Sequence, residues 1–302
     1  MGRGLRLTPP ESPTIGRNRA FAEMVFAGSL WGFGFITTVW ALKVFSPSEV
    51  LFLRFLIAST VGLCIASLRP QFRCGLRAEI LRALPAGLLL GGCMWTQTKG
   101  LETTTAAKSG FITTLYVILV PLLEALRPGR KLALQHLANA ALALVGILLL
   151  TQMHEAKIVS GDLWTLACAV FAAFHILYID RVSKHLISPF RFNSLQSLFC
   201  GLTMVPLLLS QAEIHLLSAE WLPWAGILFL ALASSTVAFT IQLRAQKVLP
   251  PATASVLFLL ESPFALLFGI IFLKEGFNGV QFLGAILIFT AAWRSARGTS
   301  AS

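Results

Sequence analysis

Ten runs of about twenty mostly apolar residues follow one another with short polar gaps, and no other feature of the chain constrains its fold so tightly. They fall at roughly 21–42, 49–68, 82–101, 103–126, 134–152, 161–180, 192–211, 222–243, 251–273 and 279–296. At 1.5 Å per residue, about 20 apolar residues in a helix cross the ~30 Å hydrocarbon core of a bilayer. Backbone polar groups in lipid must be satisfied internally, and continuous apolar runs of this length do so as helices. Of the 302 residues, 56% are hydrophobic and 12% charged, against about 25% charged in a soluble domain. The expected fold is an all-α integral membrane protein of ten transmembrane helices, with connections too short for a soluble domain.

The basic residues assign an orientation. Both termini and one alternate set of connections hold 18 of the 24: Arg3, Arg6, Arg17, Arg19, Arg69, Arg73, Arg77, Arg82, Arg127, Arg130, Lys131, Arg181, Lys184, Arg191, Arg244, Lys247, Arg294 and Arg297. The opposite set holds Lys43, Lys99, Lys157 and Lys274, and the remaining two, Arg54 and Lys108, lie inside spans. The asymmetry predicts both termini on the cytoplasmic side. It also accounts for the net charge of +11, so nucleic acid is not an expected partner. Residues 1–19, with three prolines and four arginines, read as a disordered cytoplasmic tail, and 297–302 as a second tail. No secretory cleavage pattern precedes the first run, which is expected to stay in the mature protein. Cys64, Cys93, Cys168 and Cys200 lie in apolar runs and Cys74 in a basic loop, without a CxxC pair; they read as packing thiols, with no metal or cofactor expected.

The halves of the chain repeat each other. Leu30-Trp31-Gly32 through Ser46-Pro47 and Leu53-Arg54-Phe55 run parallel to Val170-Phe171-Ala172 through Ser188-Pro189 and Leu195-Gln196-Ser197, offset by about 140–142 residues. Ala107-Lys108-Ser109-Gly110 through Leu115-Tyr116 matches Ala252-Thr253-Ala254-Ser255 through Leu260-Glu261, offset by about 145. The predicted units, 20–152 and 160–296, contain five spans each, so the second must sit upside down relative to the first. Inverted repeats are a signature of secondary transporters, whose solute site lies near the midplane where the halves meet.

In order and spacing, these pieces resemble the EamA family of the drug/metabolite transporter superfamily. Pro251-Ala252-Thr253-Ala254-Ser255 through Leu260-Glu261-Ser262-Pro263, followed by Lys274-Glu275, belongs to the same pattern. The resemblance covers nearly the whole chain and implies ten helices in two inverted five-helix EamA repeats. It also implies a multi-pass protein of the bacterial inner membrane that exports or exchanges small metabolites, amino acids or drugs. Members of the wider superfamily move nucleotide sugars, phosphorylated sugars or nucleoside-type cofactors, so the substrate stays open. The repeats differ in charge: Gln196 stands where the first copy has Arg54, and Phe171 where it has Trp31.

Polar residues inside the spans are the candidate machinery, because an ionisable group in hydrocarbon is costly and faces a cavity or a partner. Lys108 reads either as a cation that attracts a substrate carboxylate or phosphate, or as a lysine snorkelling to the interface. With Thr113, Thr114 and Tyr116 on the same span, and Tyr116 two turns on along one face, the cavity reading leads. Arg54 reads as a substrate contact or as a structural partner of Glu49. Glu261, mid-span before Ser262-Pro263 and matching Tyr116 in the other repeat, is the proton-coupling candidate, with a buried helix-locking carboxylate as the alternative. His175 is a candidate member of a proton pathway or an interhelical hydrogen-bonder. Trp31, Trp95 and Gln97 complete the expected substrate-binding set, with Phe35, Thr98 and Gln242 as further wall candidates. Pro121 and Pro263 offer places for a helix to bend.

The expected function is a secondary active transporter moving an amino acid or related organic solute, with export as the expected direction, by alternating access and with proton coupling. The alternative is an exchanger or importer of a nucleotide- or nucleoside-type metabolite. A membrane enzyme is disfavoured because the chain carries no nucleophile–base set, HExxH or acidic metal cluster, and no Walker motif points to ATP. A channel lacks an evident pore loop. The expected partners are a small solute and the lipid bilayer.

Overall fold

Serine–proline pairs start the second span of each half in the same way. Ser46 caps helix α2 (Pro47–Ser67), accepting from the Glu49 amide while the Glu49 carboxylate accepts from the Ser46 amide at 2.7 Å. Ser188 caps α8 (Pro189–Leu209) by accepting from the Arg191 amide at 3.2 Å. Proline suits the first helical position, where its missing N–H would have had no partner.

The remaining helices of this computed structural model are α1 (Arg17–Ala41), α3 (Leu76–Leu101), α4 (Ala106–Thr113), α5 (Tyr116–Ala125), α6 (Leu134–Thr151), α7 (Ser160–Ser183), α9 (Trp221–Phe229), α10 (Phe239–Ala245), α11 (Pro251–Phe258), α12 (Glu261–Phe268) and α13 (Gly279–Arg297). It describes residues 15–297 apart from 71, 130–132, 153–156, 212–219, 275 and 277. Two π-helical segments, Leu230–Ala238 and Gly269–Leu273, join α9 to α10 and extend α12. Together these elements form ten segments long and apolar enough to cross a membrane. The expected disordered tail needs correcting at its inner end, because Arg17 and Arg19 already lie in α1. Residues 1–14 and 298–302 of the expected tails lie outside the described residues.

Both copies interrupt their fourth span at matching places. The break between α4 and α5 falls at Thr114–Leu115, and that between α11 and α12 at Leu259–Leu260, 145 residues later. In the second copy Pro263 has no N–H to reach back to Leu259 and its ring crowds that carbonyl, so the turn tightens to the Ser262 N–H→Leu259 bond at 3.1 Å. In the first, Thr114 turns its hydroxyl onto the Phe111 carbonyl at 2.6 Å and Val117 and Ile118 bond three residues back. The residue immediately after each interruption is Tyr116 in one repeat and Glu261 in the other.

The packing exchanges elements between halves. α2 lies along α8 and α6 along α13, each pairing equivalent helices. α1 packs against the eighth span and α12, just as α7 packs against α3 and the α4–α5 pair. This reciprocal pattern is that of two inverted five-helix repeats related by a pseudo-two-fold axis. Small residues permit the close approaches. A Cβ on Gly146 would stand 2.8 Å from the Gly284 carbonyl, and one on Gly284 2.5 Å from Gly146. Leu81, Leu84, Leu88, Phe174 and Phe282 are exposed on the outer face, giving an apolar perimeter suited to lipid.

Candidate functional site between the two repeats

Arg54 stands seven residues into α2, about 10 Å of helix from its start. Its Nε donates to Ser235 Oγ at 2.7 Å and its Nη2 to Ser234 Oγ at 3.0 Å, so first-repeat charge rests on second-repeat hydroxyls. The two serines lie in the π segment, where the wider winding changes what the backbone can bond. Thr236 Oγ1 reaches the Ala231 carbonyl five residues back at 2.9 Å. Asn193 Nδ2 donates to the Ser235 and Thr236 carbonyls at 2.9 and 3.1 Å, and the Trp31 indole donates to the Ser234 carbonyl at 3.3 Å. π-Helical distortions within membrane spans of this kind are frequent at functional sites.

Glu261 opens α12 about half-way through the ninth span and is only partly buried. It makes no hydrogen bond or ion pair among the described residues. The Arg54 guanidinium is nevertheless close enough to interact with it electrostatically. Gly32 makes room for this turn: a Cβ there would meet Phe264 Cβ at 2.5 Å and the Glu261 carbonyl at 2.9 Å. Trp31 walls the same region with edge-on contacts to Phe239 and Phe258, both at 5.5 Å. Tyr116 is buried at the start of α5, within electrostatic reach of Glu261, and its hydroxyl has no partner among the described residues.

The equivalent region of the other repeat carries amides rather than charges. The His175 Nε2–H donates to Gln196 Oε1 at 3.0 Å, and Gln196 Nε2 donates to Asn193 Oδ1 at 3.4 Å. Since Asn193 also holds the Ser235 carbonyl, a continuous polar chain runs from His175 to the serine beneath Arg54. Gln97 Nε2 bonds Thr113 Oγ1 at 3.4 Å, and Cys93 and Cys168 meet with sulfurs 3.4 Å apart. Cys93, Cys168 and Cys200 are buried as expected of packing thiols, whereas Cys64 and Cys74 are exposed.

Other expected site residues stand elsewhere. Lys108 was expected on the cavity wall with Tyr116; its ammonium instead pairs with Asp162 at 2.5 Å and donates to the Lys157 carbonyl at 2.5 Å. Asp162 also accepts from Thr104 Oγ1 at 2.6 Å and from the Val159 amide at 2.9 Å. Arg54 and Glu49 do not pair: Glu49 closes the capping box of its own helix while Arg54 turns to the serines. Trp95 is 44% exposed and continues the outer stripe of Leu84 and Leu88 at four- and seven-residue steps, so it faces lipid. Phe35 is 54% exposed and lies one turn beyond Trp31 on the same face of α1. Thr98 bonds the Met94 carbonyl, Gln242 bonds Gln246, and Thr253 bonds the Ser295 carbonyl. The first two contacts stay within one segment, and the third ties α11 to α13.

Ser234, Ser235, Asn193 and Asp162 were missed in the sequence. The signals present were a Ser-Ser-Thr run within an apolar span, a pair of amides three residues apart, and an acid three residues into a helix. At the end bearing the basic loops, Glu79 accepts from Arg191 Nε at 2.6 Å and from the Ile187 and Ser188 amides at 3.0 and 3.1 Å. Arg244 and Glu23 pair there at 3.0 Å. A cleft of about 150 Å³ opens at the same end between Glu124, Asp180, Lys184 and Lys247. Burial there pushes the Lys247 ammonium below its usual value.

Two inverted five-helix repeats, with unlike charges where they meet, define a multi-pass membrane protein of the transporter class. The sequence profile of the EamA-like transporter family matches residues 21–152 and again 159–295, and the chain belongs to that family. A protein of Archaeoglobus fulgidus named "Uncharacterized transporter" is 28% identical over 278 residues, covering 91% of this chain and 86% of that one. "Protein PecM" of Dickeya dadantii is 26% identical over 270 residues, covering 88% of each. A solved structure titled "Crystal structure of protein" superposes with a TM-score of 0.77 at 19% identity, covering 95% of this chain and 100% of that one. That likeness establishes the shared fold.

Proposed function

We propose that the chain is a secondary carrier that exports a small zwitterionic solute, an amino acid or a close relative, across the bacterial inner membrane. The observation that carries this reading is the pair Arg54 and Glu261. Unlike charges from opposite repeats face one partly accessible interior region without an ion pair between them among the described residues. A solute carboxylate suits the guanidinium, whose planar fork donates to two oxygens, and a solute ammonium suits the carboxylate. Trp31 and Tyr116 supply wall and hydroxyl, and the His175–Gln196–Asn193 chain holds the serines under Arg54. Glu261 is the proton-coupling group: it trades a proton for the ammonium, so protons enter as solute leaves.

Alternating access needs contacts that open at one end while those at the other close. Lys108–Asp162 links the first repeat to the second at the end opposite the basic loops, and Arg191–Glu79 and Arg244–Glu23 link them at the basic end. With the basic end cytoplasmic, Lys108 and Asp162 form the outer gate and the arginine pairs belong to the inner one. Lys108 thus acts on the solute path through the gate.

Counterflow in proteoliposomes tests the substrate class. Preloaded amino acid is expected to drive saturable uptake of labelled amino acid, while its methyl ester and its N-acetyl derivative, each lacking one charge, compete poorly. Equal competition by all three would rule out recognition of both charges.

A further inference from the structure

On the outside of the bundle a groove of about 330 Å³ runs between the third, fourth and sixth spans, lined by Leu89, Leu123, Arg127, Phe174, Leu177, Tyr178 and Arg181. Its long axis follows α7: Phe174 and Arg181 are seven residues, about 10 Å, apart on that helix. The inner stretch is apolar and opens onto the lipid-facing surface, where Phe174 is 47% exposed beside the outward stripe of Leu84 and Leu88. The end at the level of the basic loops carries two guanidiniums. Arg181 is exposed and makes no hydrogen bond or ion pair among the described residues. Arg127 donates Nη2 to the Leu177 carbonyl at 3.3 Å and faces Asp180 at 3.8 Å, leaving further N–H groups of its fork. The nearby carboxylate of Asp180 is shared between Arg127 and Lys184. Tyr178 donates its hydroxyl to the Arg82 carbonyl at 2.9 Å, which fixes its ring as part of the groove wall.

From this placement we infer that the groove is a binding site for one anionic glycerophospholipid, its acyl chain along Leu89, Leu123, Phe174 and Leu177 and its phosphate between Arg127 and Arg181. A guanidinium pair suits phosphate oxygens bidentately, and basic pockets between transmembrane helices at the cytoplasmic side are sites for anionic headgroups. A zwitterionic phospholipid carries its own ammonium to the same place, where two arginines repel it. The lipid fills the seam between α5 of the first repeat and α7 of the second, away from Arg54 and Glu261.

Native mass spectrometry and thermal unfolding of the full-length protein, delipidated and then supplied with phosphatidylglycerol or phosphatidylcholine, test the site. Phosphatidylglycerol is expected to be retained with a preference of roughly tenfold or more and to raise the unfolding midpoint. Arg127→Gln with Arg181→Gln should abolish the preference, whereas Arg77→Gln with Arg294→Gln, the same charge change elsewhere at that end, should keep it. Leu89→Trp, which fills the apolar part and spares both arginines, should lower retention on its own and guards against a fold effect of the arginine changes. Equal retention of the two lipids overturns the inference. So does full protection by inorganic phosphate or glycerophosphoglycerol, which have no acyl chain, or unchanged selectivity in the Arg127/Arg181 variant.

Discussion

Glu261 and Arg54 each stand in an apolar run, where an ionisable group without a partner is expensive. Arg54 is relieved by two serine hydroxyls; Glu261 has no such relief among the described residues. Its consequence is a testable asymmetry. Glu261→Gln should leave folding intact, because no hydrogen bond or ion pair is lost among the described residues, yet remove the pH dependence of transport and strongly reduce its rate. Transport measured against external pH checks this, and an unchanged profile would remove Glu261 from coupling. Ser234→Ala with Ser235→Ala should act differently, weakening apparent solute affinity by leaving Arg54 loosely held. Losing hydrogen bonds to a charged group should also lower stability by about 1.5–3 kcal/mol, read from denaturation in detergent. The charges were legible in the sequence because an Arg or Glu amid leucines is conspicuous. The serines were not, because hydroxyls in membrane helices usually bond their own preceding turn, and only the π winding turns these two toward Arg54. The place of Trp95 is hidden for a related reason: tryptophan has the same look in a pocket and against lipid.

Among the elements, the interrupted fourth and ninth spans matter most. They place Tyr116 and Glu261 at the first residue after matching breaks, and their offset of 145 was visible in the sequence as paired motifs. The positions of the breaks were less visible. Pro263 marks one directly through its effect on Leu259, but in the first copy Pro121 lies six residues beyond the Thr114–Leu115 break, which owes more to Thr114 bonding back to Phe111. Pro263→Ala should let α11 and α12 run together. The expected outcome is a lower maximal transport rate with apparent affinity little changed, measured by initial rates in proteoliposomes. An equal rate would make the break incidental to gating.

At the scale of the whole molecule, the number of spans and the inverted duplication were readable because hydrocarbon thickness and backbone satisfaction leave few alternatives. The proposed gate was not, since Lys108 and Asp162 lie on different repeats with no sequence pattern joining them. Their ion pair is buried, with side chains 7% and 8% exposed. Lys108→Ala, which strands the carboxylate, should therefore cost about 3–5 kcal/mol, while Lys108→Ala combined with Asp162→Ala costs less. Thermal unfolding of the two variants separates these outcomes, and additive losses would argue against coupling. The central claim, however, is that the two repeats meet around one solute held by Arg54 and Glu261. Direct binding of a labelled amino acid to purified protein tests it. Saturable binding is expected for the native chain and for Trp95→Ala, and its loss in both Arg54→Gln and Glu261→Gln. Undiminished binding in those two variants, with each still folded, would contradict it.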